Sequence, residues 1–331
     1  MRAKNLLNIV IPMVLTVAVV TGCGAKSGGS ESSTTVKSAS VTSSSASEES
    51  KTSTALNSSS NTSSSSTVST ASFPITMKHA YGETVINAKP EKVVTLDWNN
   101  ADAVLALGIV PVGTARANWG PVTDKGLLPW TEEKFKELGT DNPNVFNDLE
   151  GYDYEAVAAA KPDIIVAPYS GMDEKAYKRL SEIAPTLPFR ETAWKTTWRE
   201  QTVEAAEALG LKTEGEKLVA DTDAFIKENF AKYPNLANKS VAICYIDAAD
   251  LSSFSVYRTA DPRGAYLTDL GFTFPEKVEA EATDKNAFYV QISSELAVDT
   301  LSDTDIIITY GDDKTVAALQ KDAIFSKIPA V

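Results

Sequence analysis

Lys92-Val93-Val94-Thr95-Leu96-Asp97-Trp98-Asn99-Asn100-Ala101-Asp102-Ala103-Val104-Leu105-Ala106-Leu107-Gly108-Ile109-Val110-Pro111-Val112 decides the fold class. A short apolar run (92–96) reads as a strand, and the polar residues 97–100 as a turn with helix-capping residues. Residues 101–107 read as a helix that Gly108 ends, and 109–112 as the next strand. A β–α–β rhythm with such short connections indicates a parallel sheet covered by helices. In such sheets a ligand sits outside the carboxyl ends of the strands. Trp98 follows one strand end, and Arg116 and Trp119 lie just beyond another.

The rhythm recurs downstream. Residues 155–166 read as helix, tight turn and Asp-Ile-Ile strand, with Tyr169 and Gly171 just past the strand end. A helix over 174–183 leads to Pro185, Pro188 and the aromatic, basic segment 189–201, which carries Arg190, Trp194, Trp198 and Arg199. Thr197 and Glu200 have the spacing of a capping box. That places Trp198 and Arg199 in a first helical turn, where free N–H groups and the helix dipole favour an oxygen-rich ligand. Residues 197–233 are helical with a break near Gly210, after which Thr213 and Glu216 form a second expected capping box. Leu218, Thr222, Phe225, Ile226 and Phe230 then make an apolar stripe with helical period.

A second α/β unit follows Pro234. Strands are expected at 241–246 and 254–257, and a helix over 263–270 ended by Gly271. Residues 295–308 repeat the pattern of 155–166: a glutamate, an apolar helix, a polar turn and an Asp-Ile-Ile strand. Cys244 reads as a small core residue of a buried strand. Upstream, residues 73–86 read as a hairpin turning at Tyr81-Gly82. Its His79, the single histidine of the chain, is expected to be solvated.

The first 72 residues are of another kind. Residues 1–22 combine a basic start (Arg2, Lys4) with an apolar run too short to span a bilayer, the pattern of a targeting segment. Val20-Thr21-Gly22-Cys23 resembles the lipobox of bacterial lipoproteins. The resemblance implies cleavage before Cys23 and lipidation of its thiol. Of residues 27–72, 29 are Ser or Thr. Such a stretch buries too little apolar surface to offset its ordering entropy, so 23–72 reads as a lipid-bearing, disordered tether with a reach of roughly 40 Å. The net charge is −13, which argues against nucleic acid as a partner. One histidine and two cysteines in 331 residues suit a zinc or manganese site poorly. The chain carries no GxSxG or HExxH motif; a secreted carboxylate-pair hydrolase is a remote reading only.

Residues 90–96, 103–108, 155–166, Trp198-Arg199-Glu200 and 289–295, in this order and spacing, resemble the iron-siderophore substrate-binding lipoproteins of ABC transporters, the helical-backbone class of periplasmic binding proteins. That resemblance implies two Rossmann-like α/β lobes (73–196 and 234–331) joined by one long helical segment (197–233), with the ligand in the cleft. It implies a ferric siderophore as ligand and no enzymatic cofactor. It also implies an ABC permease with its ATPase as partner, and a chain held by its lipid on the extracytoplasmic face of a Gram-positive membrane. The family's pattern continues past residue 331 with a further strand and helix, so the second lobe is expected to be incomplete. A ferric siderophore fills the iron's coordination sphere itself, so its receptor needs aromatics and oxygen-directed donors rather than metal ligands. The candidates are Trp98, Arg116, Trp119, Tyr169, Arg190, Trp194, Trp198, Arg199, Tyr257, Arg258, Arg263 and Tyr289. Glu155 and Glu295, one per lobe, are the expected permease contacts. Haem or a corrinoid is the alternative ligand, with Tyr169, Tyr257 or Tyr289 as the axial donor that haem would need.

Overall fold

A hairpin opens the described part of the chain: β1 (Ile75–His79) and β2 (Gly82–Ile86) pair antiparallel. The computed structural model describes residues 71–147, 150–284 and 287–331, all within one compact unit, Ser65–Val331. The targeting segment, Cys23 and most of the Ser/Thr tether lie outside the described residues. The hairpin overturns one expectation. His79 is buried, not solvated, because strand alternation puts it on the same face as the core residue Met77. Its Nε2 lies 3.0 Å from Thr84 Oγ1 and 3.3 Å from the Tyr177 hydroxyl.

The first lobe alternates strand and helix: β3 (Val93–Thr95), α1 (Asn100–Ala106), β4 (Gly113–Ala115), α2 (Pro129–Glu137), β5 (Val145–Phe146), α3 (Tyr154–Ala159), β6 (Ile164–Val166), α4 (Glu174–Ser181) and β7 (Thr186–Leu187). All five strands are parallel, in the order β5-β4-β3-β6-β7. Every residue of β3, β4 and β6 is buried, as helices on both faces of a sheet require. Gly108 ends α1 with φ +79°, a conformation glycine adopts without steric cost. The strand expected over 109–112 begins instead at Gly113. Pro111 has no N–H to give a ladder, and a Cβ at Gly113 would come within 2.9 Å of Phe146 Cε1, so close packing starts there. From β3 the chain moves outward through β4 and β5, then returns to the other side of β3 with β6. That reversal puts the switch point of the sheet at the carboxyl end of β3.

Helices α5 (Trp198–Ala208) and α6 (Lys212–Phe230) follow. The Thr197–Glu200 capping box forms: the Thr197 N–H donates to Glu200 Oε2 at 2.9 Å, and the Glu200 N–H donates to Thr197 Oγ1 at 3.3 Å. The second box does not. Helix α6 starts at Lys212 with Leu211 as its cap, so Thr213 already lies inside the first turn. Along the expected stripe of α6, Phe225 is exposed and the other four residues are only half-buried.

The second lobe contains β8 (Val241–Asp247), β9 (Asp250–Tyr257), α7 (Pro262–Asp269), α8 (Glu276–Ala280), β10 (Tyr289–Ser293), α9 (Ser294–Thr300), β11 (Ile306–Thr309) and α10 (Asp313–Lys321). Its sheet order is β10-β9-β8-β11; only β11 runs parallel to β8. The lobe is therefore mixed rather than purely Rossmann-like. The two residues between β8 and β9 suffice for a hairpin, whereas a parallel crossover needs a dozen or more. Cys244 is fully buried in this core, as expected.

Candidate functional site

The switch point is built around Asn100. This side chain is buried at the start of α1. Its Nδ2 donates to Leu96 O (2.7 Å) and Tyr169 O (2.8 Å), while its Oδ1 accepts from Tyr169 N (3.2 Å) and Gln201 Nε2 (3.0 Å). One amide thus binds the ends of β3 and β6 to α5. Asn99, the N-cap of α1, makes no side-chain cap and has φ +68°, and Asp97 has φ +60°. Non-glycine residues persist in such strained conformations where the surroundings over-determine them, typically at ligand sites.

Above this bolt lies a pocket of about 150 Å³ lined by Asp97, Trp98, Arg116, Asn118, Tyr152 and Trp194, among others. The Tyr152 hydroxyl donates to Asp97 Oδ2 at 2.6 Å. Trp194 meets Tyr169 edge to face, with ring centroids 5.2 Å apart. The loops that carry these rings are laced together. Trp194 N donates to Ser170 O at 3.0 Å, Thr196 Oγ1 to Pro168 O at 2.6 Å, and the Tyr81 hydroxyl to Met172 O at 2.5 Å.

A second aromatic group comes from the other lobe. Arg263 lies 3.6 Å above the Tyr257 ring and holds Asp261 with Nη2 at 2.7 Å. Tyr289 meets Tyr257 at 6.4 Å, and Tyr310 stands 3.5 Å from Arg263. Tyr169 lies within electrostatic reach of this group. Burial first, then the Asp261 charge, pushes its phenol above the ordinary range, partly offset by Arg263.

Seven of the twelve candidates thus fall into two aromatic groups: Trp98, Arg116, Tyr169 and Trp194 in one, and Tyr257, Arg263 and Tyr289 in the other. Five are placed differently. Trp119 is 63 % exposed and does not line the pocket. Arg190 is paired with the buried Glu204 at 2.6 Å. Trp198 lies half-buried beneath the Arg199 guanidinium, 4.6 Å from it. Arg199 grips Asp223 of α6 with two nitrogens, at 2.6 and 3.1 Å, and also reaches Asp269 of α7. Arg258 is buried and places its donors on Glu279 and on the carbonyls of Asp284 and Ala287. Sequence reasoning missed Asp97, Tyr152 and Tyr310. The strand-end rule that selected Trp98 also points to Asp97 and to Tyr310, which directly follows β11.

Glu155 and Glu295 each occupy the second position of a short helix, α3 and α9, and both are exposed. No described helix is long and apolar enough to cross a membrane.

The family pattern described as "Periplasmic binding protein" matches residues 93–331. The chain belongs to the periplasmic binding protein family. Its two lobes are those of the helical-backbone class. Among curated relatives of this binding protein is the "Probable siderophore-binding lipoprotein YfiY" of Bacillus subtilis (strain 168), 30% identical over 244 residues, which cover 71% of this chain and 68% of the relative. The "Fe(3+)-citrate-binding protein YfmC" of the same organism is 29% identical over 241 residues, 71% of this chain and 68% of that one. Among solved structures, Streptococcus pneumoniae TIGR4 PiaA in complex with ferrichrome is 46% identical, with a TM-score of 0.72 over 77% of this chain and 84% of that one.

Proposed function

We propose that this chain is an extracytoplasmic binding protein that captures a ferric siderophore of the hydroxamate class. It then delivers the complex to an ABC permease and its ATPase for iron uptake. The supporting observation is the charge balance of an aromatic cleft. The first pocket wall carries one guanidinium, Arg116, and one carboxylate, Asp97. On the second group Arg263 is matched by Asp261. Three hydroxamate anions cancel the charge of one ferric ion, whereas three catecholate dianions leave their complex strongly anionic. A balanced cleft lined by indoles and phenols therefore suits the neutral complex. The 46% identical structure holds ferrichrome, a ligand of this neutral kind. The chain acts as a binder rather than an enzyme, its lipid anchor is Cys23, and Glu155 and Glu295 meet the permease. Tryptophan fluorescence titration with ferrichrome, a ferric tris-catecholate and ferric citrate tests the ligand class. Ferrichrome is expected to bind at least tenfold more tightly than either of the others; preference for the anionic complexes would refute the charge argument.

A further inference from the structure

Trp194 is held in a backbone conformation that bulky residues seldom adopt, with φ +61°. Its indole lies against Gly171. A Cβ on Gly171 would come within 2.6 Å of Trp194 Cε2 and 2.7 Å of Cζ2, far inside the optimal carbon–carbon separation of about 3.5–4.0 Å. Gly171 is not required by its own backbone, because its φ lies outside the left-handed region that Gly108 occupies. The contact with the indole is thus what makes a side chain at 171 unfavourable.

Neither main chain can easily give way. Gly171 stands between Ser170 and Met172, both buried, and the Met172 carbonyl is fixed by the Tyr81 hydroxyl. The Trp194 N–H is bonded to Ser170 O, and Thr196, two residues on, is bonded to Pro168 O. With both main chains pinned, an added methyl group would have to displace the ring itself. The ring forms part of the pocket wall.

We propose that Gly171 is a positioning residue: by presenting no side chain it seats the Trp194 indole against the pocket and so sets the width left for the organic shell of the ligand. The consequence for ligand rests on the siderophore-binding reading, but the seating of the indole can be measured without any ligand.

The test compares wild type, Gly171→Ala, Trp194→Ala and the double variant. Five tryptophans are present, so the Trp194 contribution is taken as the difference between each protein and its Trp194→Phe counterpart. In ligand-free Gly171→Ala, Trp194 emission should shift to the red and its acrylamide quenching should rise. Ferrichrome affinity should fall about tenfold, equivalent to about 1.4 kcal/mol. In the Trp194→Ala background the same Gly171→Ala change should cost less than twofold. Should Gly171→Ala not fold, the double variant should recover folding, because the clash leaves with the indole. Unchanged Trp194 emission, equal losses in both backgrounds, or a double variant that stays unfolded would each overturn the proposal. Absence of ferrichrome binding by wild type would count against the siderophore reading alone, and the ligand-free emission would still decide the seating.

Discussion

Glu204 binds its proton differently in the folded and unfolded chain. This carboxyl is 3% exposed on the inner face of α5, with Arg190 as its ion-pair partner. Burial pushes it up to about 7; Arg190 pulls it back only in part, and Glu200 and Glu207 on the same helix push it further up. The folded protein therefore holds this proton more tightly than the unfolded chain does. The stabilisation is complete below the unfolded value of 4.5 and is lost as pH rises through about 7. A shift of that size corresponds to about 3 kcal/mol. Glu204→Gln keeps the shape and removes the titration. Relative to wild type, its unfolding free energy should therefore rise by about 3 kcal/mol between pH 4.5 and 8. Urea denaturation followed by far-UV circular dichroism at half-unit pH steps gives both curves, and equal denaturant slopes would license the comparison. Parallel pH dependences of the two proteins would refute the reasoning, because Glu204 would then titrate alike in folded and unfolded chains.

Arg199→Ala should lower stability by about 1 kcal/mol, the upper end for exposed ion pairs. It should change ferrichrome affinity less than twofold, because the guanidinium is spent on Asp223 and Asp269; denaturation and titration of one preparation check both. Glu155→Ala and Glu295→Ala should leave ferrichrome binding intact and slow iron uptake, with the double variant slowest, since exposed charges of this kind set encounter rate and register. Radiolabelled ferrichrome uptake measured beside binding decides this, and lost binding would move the two glutamates into the cleft. Cys23→Ala should leave the protein unlipidated and shift it from the membrane fraction to the medium or to an uncleaved precursor, as fractionation and mass spectrometry would show.

The centre of the first lobe's sheet, β3, β4 and β6, was legible because it rests on local signals, whereas the two-residue strands β5 and β7 were too short to leave a pattern. The apolar run at 92–96, the glycine at 108 and the Asp-Ile-Ile strand starts each impose their element within a few residues. The Thr197–Glu200 box was legible for the same reason. The strand parity assigned to His79 was the wrong one: alternation with the core residue Met77 puts it on the buried face, not the solvated one. The pattern of the second lobe did not show that β9 runs antiparallel, since a strand's composition does not carry its direction. Ion pairing was the least legible feature. Arg199 meets Asp269 across 70 residues and Arg258 meets Glu279 across 21. An arginine in a sequence shows its donors but not which distant carboxylate will claim them. Trp98, Arg116 and Tyr169 fared better, because strand ends in a parallel sheet converge by topology. Tyr152 escaped that rule, since it enters from the loop just before α3.

Calorimetric titration of the mature protein with ferrichrome, beside Trp98→Ala and Arg116→Ala, addresses the central claim most directly. The account predicts saturable one-to-one binding by wild type with a dissociation constant below about 1 μM, equivalent to about −8 kcal/mol, and at least tenfold weaker binding by both variants. A folded wild type that gives no binding heat and no tryptophan quenching with ferrichrome would contradict it, as would full affinity in both variants.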